Sequence, residues 1–202
     1  MSKLKITEEV LKAVESSPFG IASLEVLGSL QLCSFPTLKT TISRLNRAGR
    51  IIRVKRGVYS ATPVRDPYAL AQAIFGGYVG FSGALYLHKL NTEMPFTIII
   101  VTPHLSKTRS FGEYEFRAVA LGDRAVGFER LGNCNVSTRA KTLFDCLYLP
   151  HYSIEGQKLV EAFSQAKLER KEWKEFEYYV KKFAGKKAAV DMFEVKKLIQ
   201  RS

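Results

Sequence analysis

Between Ser34 and Ser60 the hydrophobic period of the chain changes from helical to alternating, and this change narrows the folds open to it. Ser34-Phe35-Pro36 reads as a helix start, because proline is preorganised for a first helical turn. Leu38, Ile42 and Leu45 then recur at helical spacing and define one apolar face. At about 100° per residue the opposite face holds Thr40, Ser43, Arg44 and Arg47, flanked by Lys39 and Arg50. Gly49 closes the helix. From Arg50 to Ser60 apolar and basic residues alternate on both sides of Lys55-Arg56-Gly57, the pattern of a two-stranded hairpin with a basic tip.

Upstream, Ile6–Leu11 opens an earlier helix, with Thr7 as its cap and Glu8 and Glu9 at the positive end of its dipole. Ile6 is placed to staple onto Leu11, and Pro18 and Gly20 end the helix. A short second helix is expected over 21–30 on Leu24, Leu27 and Leu30, with 28–34 as the turn. Three helices followed by a basic hairpin describe a winged helix-turn-helix. In that arrangement the third helix enters the DNA major groove and the hairpin lies along the backbone.

The charge distribution agrees. The chain carries 31 Lys and Arg against 19 Asp and Glu, a formal charge of +12. Between Glu25 and Asp66 it has no acidic residue, while Lys39, Arg44, Arg47, Arg50, Arg53, Lys55, Arg56 and Arg65 fall in that window. A solvated helix face normally mixes both signs, so a window of one sign suits a surface that meets phosphate. Arg44 and Arg47 suit bidentate contacts to guanine, and Thr37, Thr40 and Ser43 suit short contacts to bases or phosphates. Lys39, Arg50, Arg53, Lys55 and Arg56 suit phosphate contacts, which position without reading sequence. Two other readings stand beside this one: solvated basic surface, and a winged helix used for protein contacts alone.

The expected fold class is α+β. Residues 1–62 form the winged helix-turn-helix, 63–152 a mixed α/β domain, and 153–202 a helical C-terminal part packed on it. In the middle domain, helices are expected from Asp66-Pro67 to Gly76-Gly77 and over Gly80–Leu90, with Ala84, Leu85 and Leu87 inward. Phe96–Val101 reads as a buried strand and Tyr114–Ala118 as a half-exposed one, and Thr138–Leu147 as an amphipathic helix. Leu159, Phe163, Ala166, Trp173, Phe176, Val180 and Phe183 make one helical stripe over about seven turns. Gly185 breaks it, and Met192, Val195, Leu198 and Ile199 stripe a last helix.

Signals for chemistry are thin, and no catalytic residue, metal or cofactor is expected. Glu113 and Glu115 would share one strand face, a placement able to hold a divalent cation, but a solvent-facing hairpin edge explains them better. His88, His104 and His151 stand singly, and Cys134 and Cys146 lack zinc spacing. Gly80-Phe81-Ser82-Gly83 lacks the form of a nucleophile turn and fits tight helix packing. Lys141 and Asp145, four apart on a helix, read as an intrahelical ion pair. The longest central aliphatic run is of strand length, so no membrane span is expected. The mixed charges of residues 1–9 show no secretory signal, and three cysteines without a paired spacing suit a reduced, cytoplasmic setting.

Several separated motifs follow a recurring order: Arg56-Gly57-Val58-Tyr59, Asp66-Pro67-Tyr68-Ala69-Leu70-Ala71, Tyr78–His88, Thr97–Pro103 and Lys141–Leu147. Over residues 5–150 they resemble the AbiEi-type antitoxins, the regulator halves of abortive-infection toxin–antitoxin systems that act against phage. The resemblance implies a repressor that binds its own promoter as double-stranded DNA and counters a co-encoded nucleotidyltransferase toxin, directly or only functionally, with a homodimer on DNA as one arrangement. It departs from the family pattern at Lys89 and over Ser137–Ala140, and fades beyond residue 150. The alternatives are a solitary regulator without a toxin and a nucleic-acid-processing enzyme delivered by its winged helix.

Overall fold

Helix α1 spans Lys3–Ser16 in the computed structural model, which describes residues 3–111 and 113–201. The helix starts ahead of Thr7, so that Thr7, Glu8 and Glu9 lie inside it and its first turn carries no acid. Its apolar stripe outweighs the local capping signal: Val10, Leu11 and Val14 are buried and Ile6 packs beside them from within the same helix. The expected cap and staple are therefore absent.

The chain divides into two compact units, Met1–Ile74 and Phe75–Ser202. Residues 63–74 fall in the first of these units, and the C-terminal helices beyond residue 153 fall in the second.

In the first unit α1 is followed by β1 (Ile21–Ser23), α2 (Leu24–Ser29), α3 (Phe35–Arg47), β2 (Ile51–Lys55), β3 (Val58–Ala61) and α4 (Pro67–Phe75), whose last residue falls in the second unit. The second helix is thus shorter than expected, because residues 21–23 pair with β3 as a strand. Ser23 ends that strand and caps α2, its hydroxyl accepting the Val26 N–H at 3.1 Å. The sheet order is β1-β3-β2, antiparallel throughout. Val10, Val14, Leu27, Leu38, Ile42, Leu45 and Ile51 form the core, whereas Leu30 lies half exposed. Asp66 caps α4 by accepting the N–H groups of Tyr68 and Ala69.

The second unit contains β4 (Tyr78–Val79), α5 (Phe81–Leu87), β5 (Thr97–Thr102), β6 (Lys107–Phe111), β7 (Tyr114–Ala120), β8 (Phe128–Leu131) and β9 (Cys134–Ser137). Four helices complete it: α6 (Arg139–Tyr148), α7 (Gly156–Ala166), α8 (Arg170–Phe183) and α9 (Lys186–Arg201). Its sheet runs β6-β7-β5-β4-β9-β8, with β5 parallel to β7, β4 parallel to β9, and the other neighbours antiparallel. Ile99, Val101 and Val119 project into one core with Phe81, Leu143, Phe144, Phe163, Phe176 and Val180, so the helices cover that face.

Several expected details differ. Phe96 lies outside β5 and is exposed. Leu87 is half-buried, and Phe81 takes its inward place. Helix α6 is buried nearly all round and not on one stripe, since Lys141, Thr142, Asp145 and Cys146 are buried with Ala140, Leu143 and Phe144. The long tail stripe is two helices: Lys167 takes a left-handed conformation (φ +48°) and ends α7 before α8 begins. Leu198 is exposed, leaving Met192 and Ile199 as the buried residues of α9. No helix among the described residues is long and apolar enough to cross a membrane.

Candidate nucleic-acid interface

Helix α3 buries Leu38, Thr41, Ile42 and Leu45 and exposes Thr37, Lys39, Thr40, Ser43, Arg44 and Arg47. Its start is ordered by the Ser34 and Thr37 hydroxyls, 2.8 Å apart, and the Thr40 hydroxyl donates to the Pro36 carbonyl. Its end is a left-handed glycine cap. Gly49 (φ +70°) lets its own N–H reach the Asn46 carbonyl and the Arg50 N–H reach that of Leu45. This turn sends the chain directly into β2, so the hairpin stands beside α3.

The hairpin is held at both ends. Asn46 Oδ1 accepts the Arg53 N–H at 2.9 Å, tying the last turn of α3 to β2. At the tip Gly57 (φ +76°) offers its carbonyl to the Leu24 N–H at 2.8 Å, tying the turn to the start of α2. Strict alternation fails inside β2. Arg53 pairs with Tyr59 and Lys55 with Val58, leaving Val54 as the extra residue of a bulge. Ile51 and Val54, three apart, are consequently both buried, while Arg53 and Lys55 stay exposed.

The exposed side chains of α3 sort onto two flanks. Thr37, Thr40 and Arg44 line a depression of about 290 Å³ shared with Ile6 and Thr7 of α1. Lys39 lines a groove of about 700 Å³ on the other flank, facing Arg53, Arg56 and Tyr59 of the hairpin. Ser43 and Arg47 are exposed on the ridge between, and Arg50 and Lys55 are exposed without lining either hollow. Among the described residues none of the seven cations Lys39, Arg44, Arg47, Arg50, Arg53, Lys55 and Arg56 is in an ion pair. Arg65 differs: its guanidinium donates to the Glu15 carbonyl at 2.6 Å and serves the fold. An unpaired cationic ridge with hollows on either side can cover two runs of phosphate and present short polar groups between them.

Sequence reasoning missed Phe35, Asn46 and Glu25 as parts of this surface. Phe35 is 46% exposed, with the Lys39 ammonium 4.6 Å from its ring centroid. The Phe35 ring lies against Gly28, where an added Cβ would approach it to 3.4 Å. Glu25 is the one carboxylate that lines the larger groove. An aromatic at a helix start carries no signal of exposure, and the Asn46 contact depends on where β2 lands.

In the second unit, Glu113 lies in a turn and not on the strand with Glu115. Glu115 Oε1 accepts from the Thr97 hydroxyl at 2.9 Å and from Arg117 at 3.2 Å, so it is committed to the sheet. Among the described residues no group of three His, Cys, Asp or Glu could hold a metal. His88 Nε2 meets the Ser137 carbonyl at 2.7 Å. At Gly80 an added Cβ would lie 2.6 Å from a Val101 methyl, so small residues there serve packing.

Lys141 and Asp145 form the expected ion pair at 2.5 Å, but both are sealed from solvent, at 0% and 2% exposure. Burial pushes the Asp145 carboxyl up to about 6 against the pull of the Lys141 ammonium. The same burial lowers Lys141, with Asp145 opposing. Asp145 Oδ2 has no hydrogen-bond partner among the described residues, and burial drives the neighbouring Cys146 thiol up to about 12 and the Tyr78 and Tyr179 hydroxyls upward. The pair stands in packed core and lines none of the hollows described above. No protein-family model matches the chain, and no curated protein matches it.

Proposed function

We propose that the chain is a sequence-specific DNA-binding transcriptional repressor whose first unit acts as a winged helix-turn-helix. The observation that carries the reading is the unpaired cationic surface of α3 and the β2–β3 hairpin, inside a window without a carboxylate. In this reading α3 enters the major groove, about 12 Å wide. Arg47 and Ser43 on its ridge, with Arg44, Thr40 and Thr37, meet base edges. Lys39, Arg53 and Arg56 converge on the strand that borders the groove, and Arg50 and Lys55 extend that track.

The second unit is proposed as the antitoxin part, which rests on the resemblance to AbiEi-type regulators. In that role the chain represses its own operon and counters a nucleotidyltransferase toxin, directly or only functionally. A homodimer would match a two-fold operator. A regulator is favoured over a nuclease by Glu115, whose carboxylate is already engaged by Thr97 and Arg117.

The test is binding of the full chain to a duplex from its own upstream region and to a scrambled duplex, across a salt series. Arg44→Ala/Arg47→Ala should lose discrimination between the duplexes, at ~1–3 kcal/mol for each bidentate contact. Lys55→Ala/Arg56→Ala should weaken both duplexes together and reduce the log–log salt slope by about 0.9 for each phosphate no longer neutralised. Equal weak binding to both duplexes by wild type would refute sequence-specific repression.

A further inference from the structure

A second cationic site lies on the C-terminal helices, independent of the surface described above. Trp173, in the first turns of α8, is half-buried and walls two adjoining hollows of about 310 and 490 Å³, with Leu168 and Gln200 common to both. The smaller is floored by Phe163, Leu168 and Ile199, all buried. The larger is rimmed by Arg170, Lys174, Glu177 and Lys196, and Lys167 borders the smaller.

Most charges nearby are already matched. Glu169 and Glu172 close the capping box of α8, Glu172 also holds Arg139, and Lys171 pairs with Glu169. Lys196 is held by Glu177 at 2.5 Å, with its ammonium 5.5 Å from the Trp173 ring centroid. The three cations Lys167, Arg170 and Lys174 are exposed and form no ion pair among the described residues. An aromatic wall over an apolar floor, edged by cations outside any ion pair, of which only Lys174 also acts on Glu177, asks for a ligand with a flat ring at one end and negative charge at the other.

We infer that the Trp173 cleft binds a nucleotide, its base against the indole and its phosphate among Lys167, Arg170 and Lys174. Base–indole stacking is tolerant of base identity, and cationic side chains beside the ring hold the phosphate. The hollows lie in the range usual for small-ligand sites, roughly 300–1,000 Å³. A carboxylate or phosphate with no ring attached would use the cations but leave the indole and the Phe163–Ile199 floor unfilled. The nucleotide comes either free or as one residue of a single strand, and the two sources separate experimentally.

Trp173 is the only tryptophan of the chain, so its fluorescence reports this cleft and no other. The full chain is titrated with ATP, with tripolyphosphate as a charge control, and with a short single-stranded oligodeoxyadenylate. Saturable quenching by ATP supports the site with a free nucleotide as ligand, and quenching by the oligonucleotide alone supports it with a strand. Arg170→Ala/Lys174→Ala, two exposed positions, should weaken that quenching at least about tenfold, and Trp173→Leu should weaken binding about 10- to 100-fold by calorimetry. Absence of saturable quenching by either probe overturns the inference. So does tripolyphosphate competing as well as ATP, or a double variant that binds as wild type does.

Discussion

Replacing Lys141 by Met keeps the length of the side chain but removes the one ammonium that, among the described residues, contacts Asp145, whose other oxygen has no hydrogen-bond partner among them. At 2% exposure the carboxylate cannot regain water, so Lys141→Met should fold with Asp145 protonated. Holding it neutral costs about 1.4 kcal/mol for each pH unit above its ordinary 3.8, which is ~4 kcal/mol at pH 7 and ~1.6 at pH 5. The value agrees with the ~3–5 kcal/mol lost when one partner of a buried pair is removed. In the wild type the folded carboxyl is also raised, to about 6, so its contribution is full below 3.8 and lost as pH rises through 6. Wild type therefore gains on the order of 1 kcal/mol between pH 7 and pH 5, and the variant about twice as much. The deficit of Lys141→Met should accordingly shrink by on the order of 1 kcal/mol across that interval. Lys141→Met/Asp145→Leu, with neither charge left, should recover most of the loss. Urea unfolding followed by Trp173 fluorescence, in the same unit, measures all three. A Lys141→Met loss that is below ~1 kcal/mol and insensitive to pH would refute the reasoning.

Two further outcomes follow from the packing. Asn46→Ala frees the Arg53 N–H at the junction of α3 and β2 and should destabilise the first unit by about 1 kcal/mol in chemical denaturation. On thiol alkylation under native conditions, half-exposed Cys33 should react first, while Cys134 and Cys146, both buried and the latter pushed up to about 12, should react only on unfolding.

What the sequence determined by itself is local. Leu38, Ile42 and Leu45 need only the helical period to mark α3, and glycine at 49 and 57 needs only its tolerance of positive φ to mark the helix end and the hairpin tip. The acid-free window likewise reads directly as charge, before any coordinates. Tertiary structure decided whatever depends on a partner distant in sequence. Ile21–Ser23 becomes a strand because β3 is there to pair with it, and the bulge at Val54 lets Ile51 and Val54 both be buried. The strands β4, β6 and β8 carry no legible pattern: the first is two residues, the second is polar, and the third is exposed along its length. Lys141 and Asp145 look like a surface pair at four-residue spacing, and only the cover of α8 and the sheet makes them a buried one. Spacing fixes which side chains share a face; whether that face meets water is settled by what packs upon it.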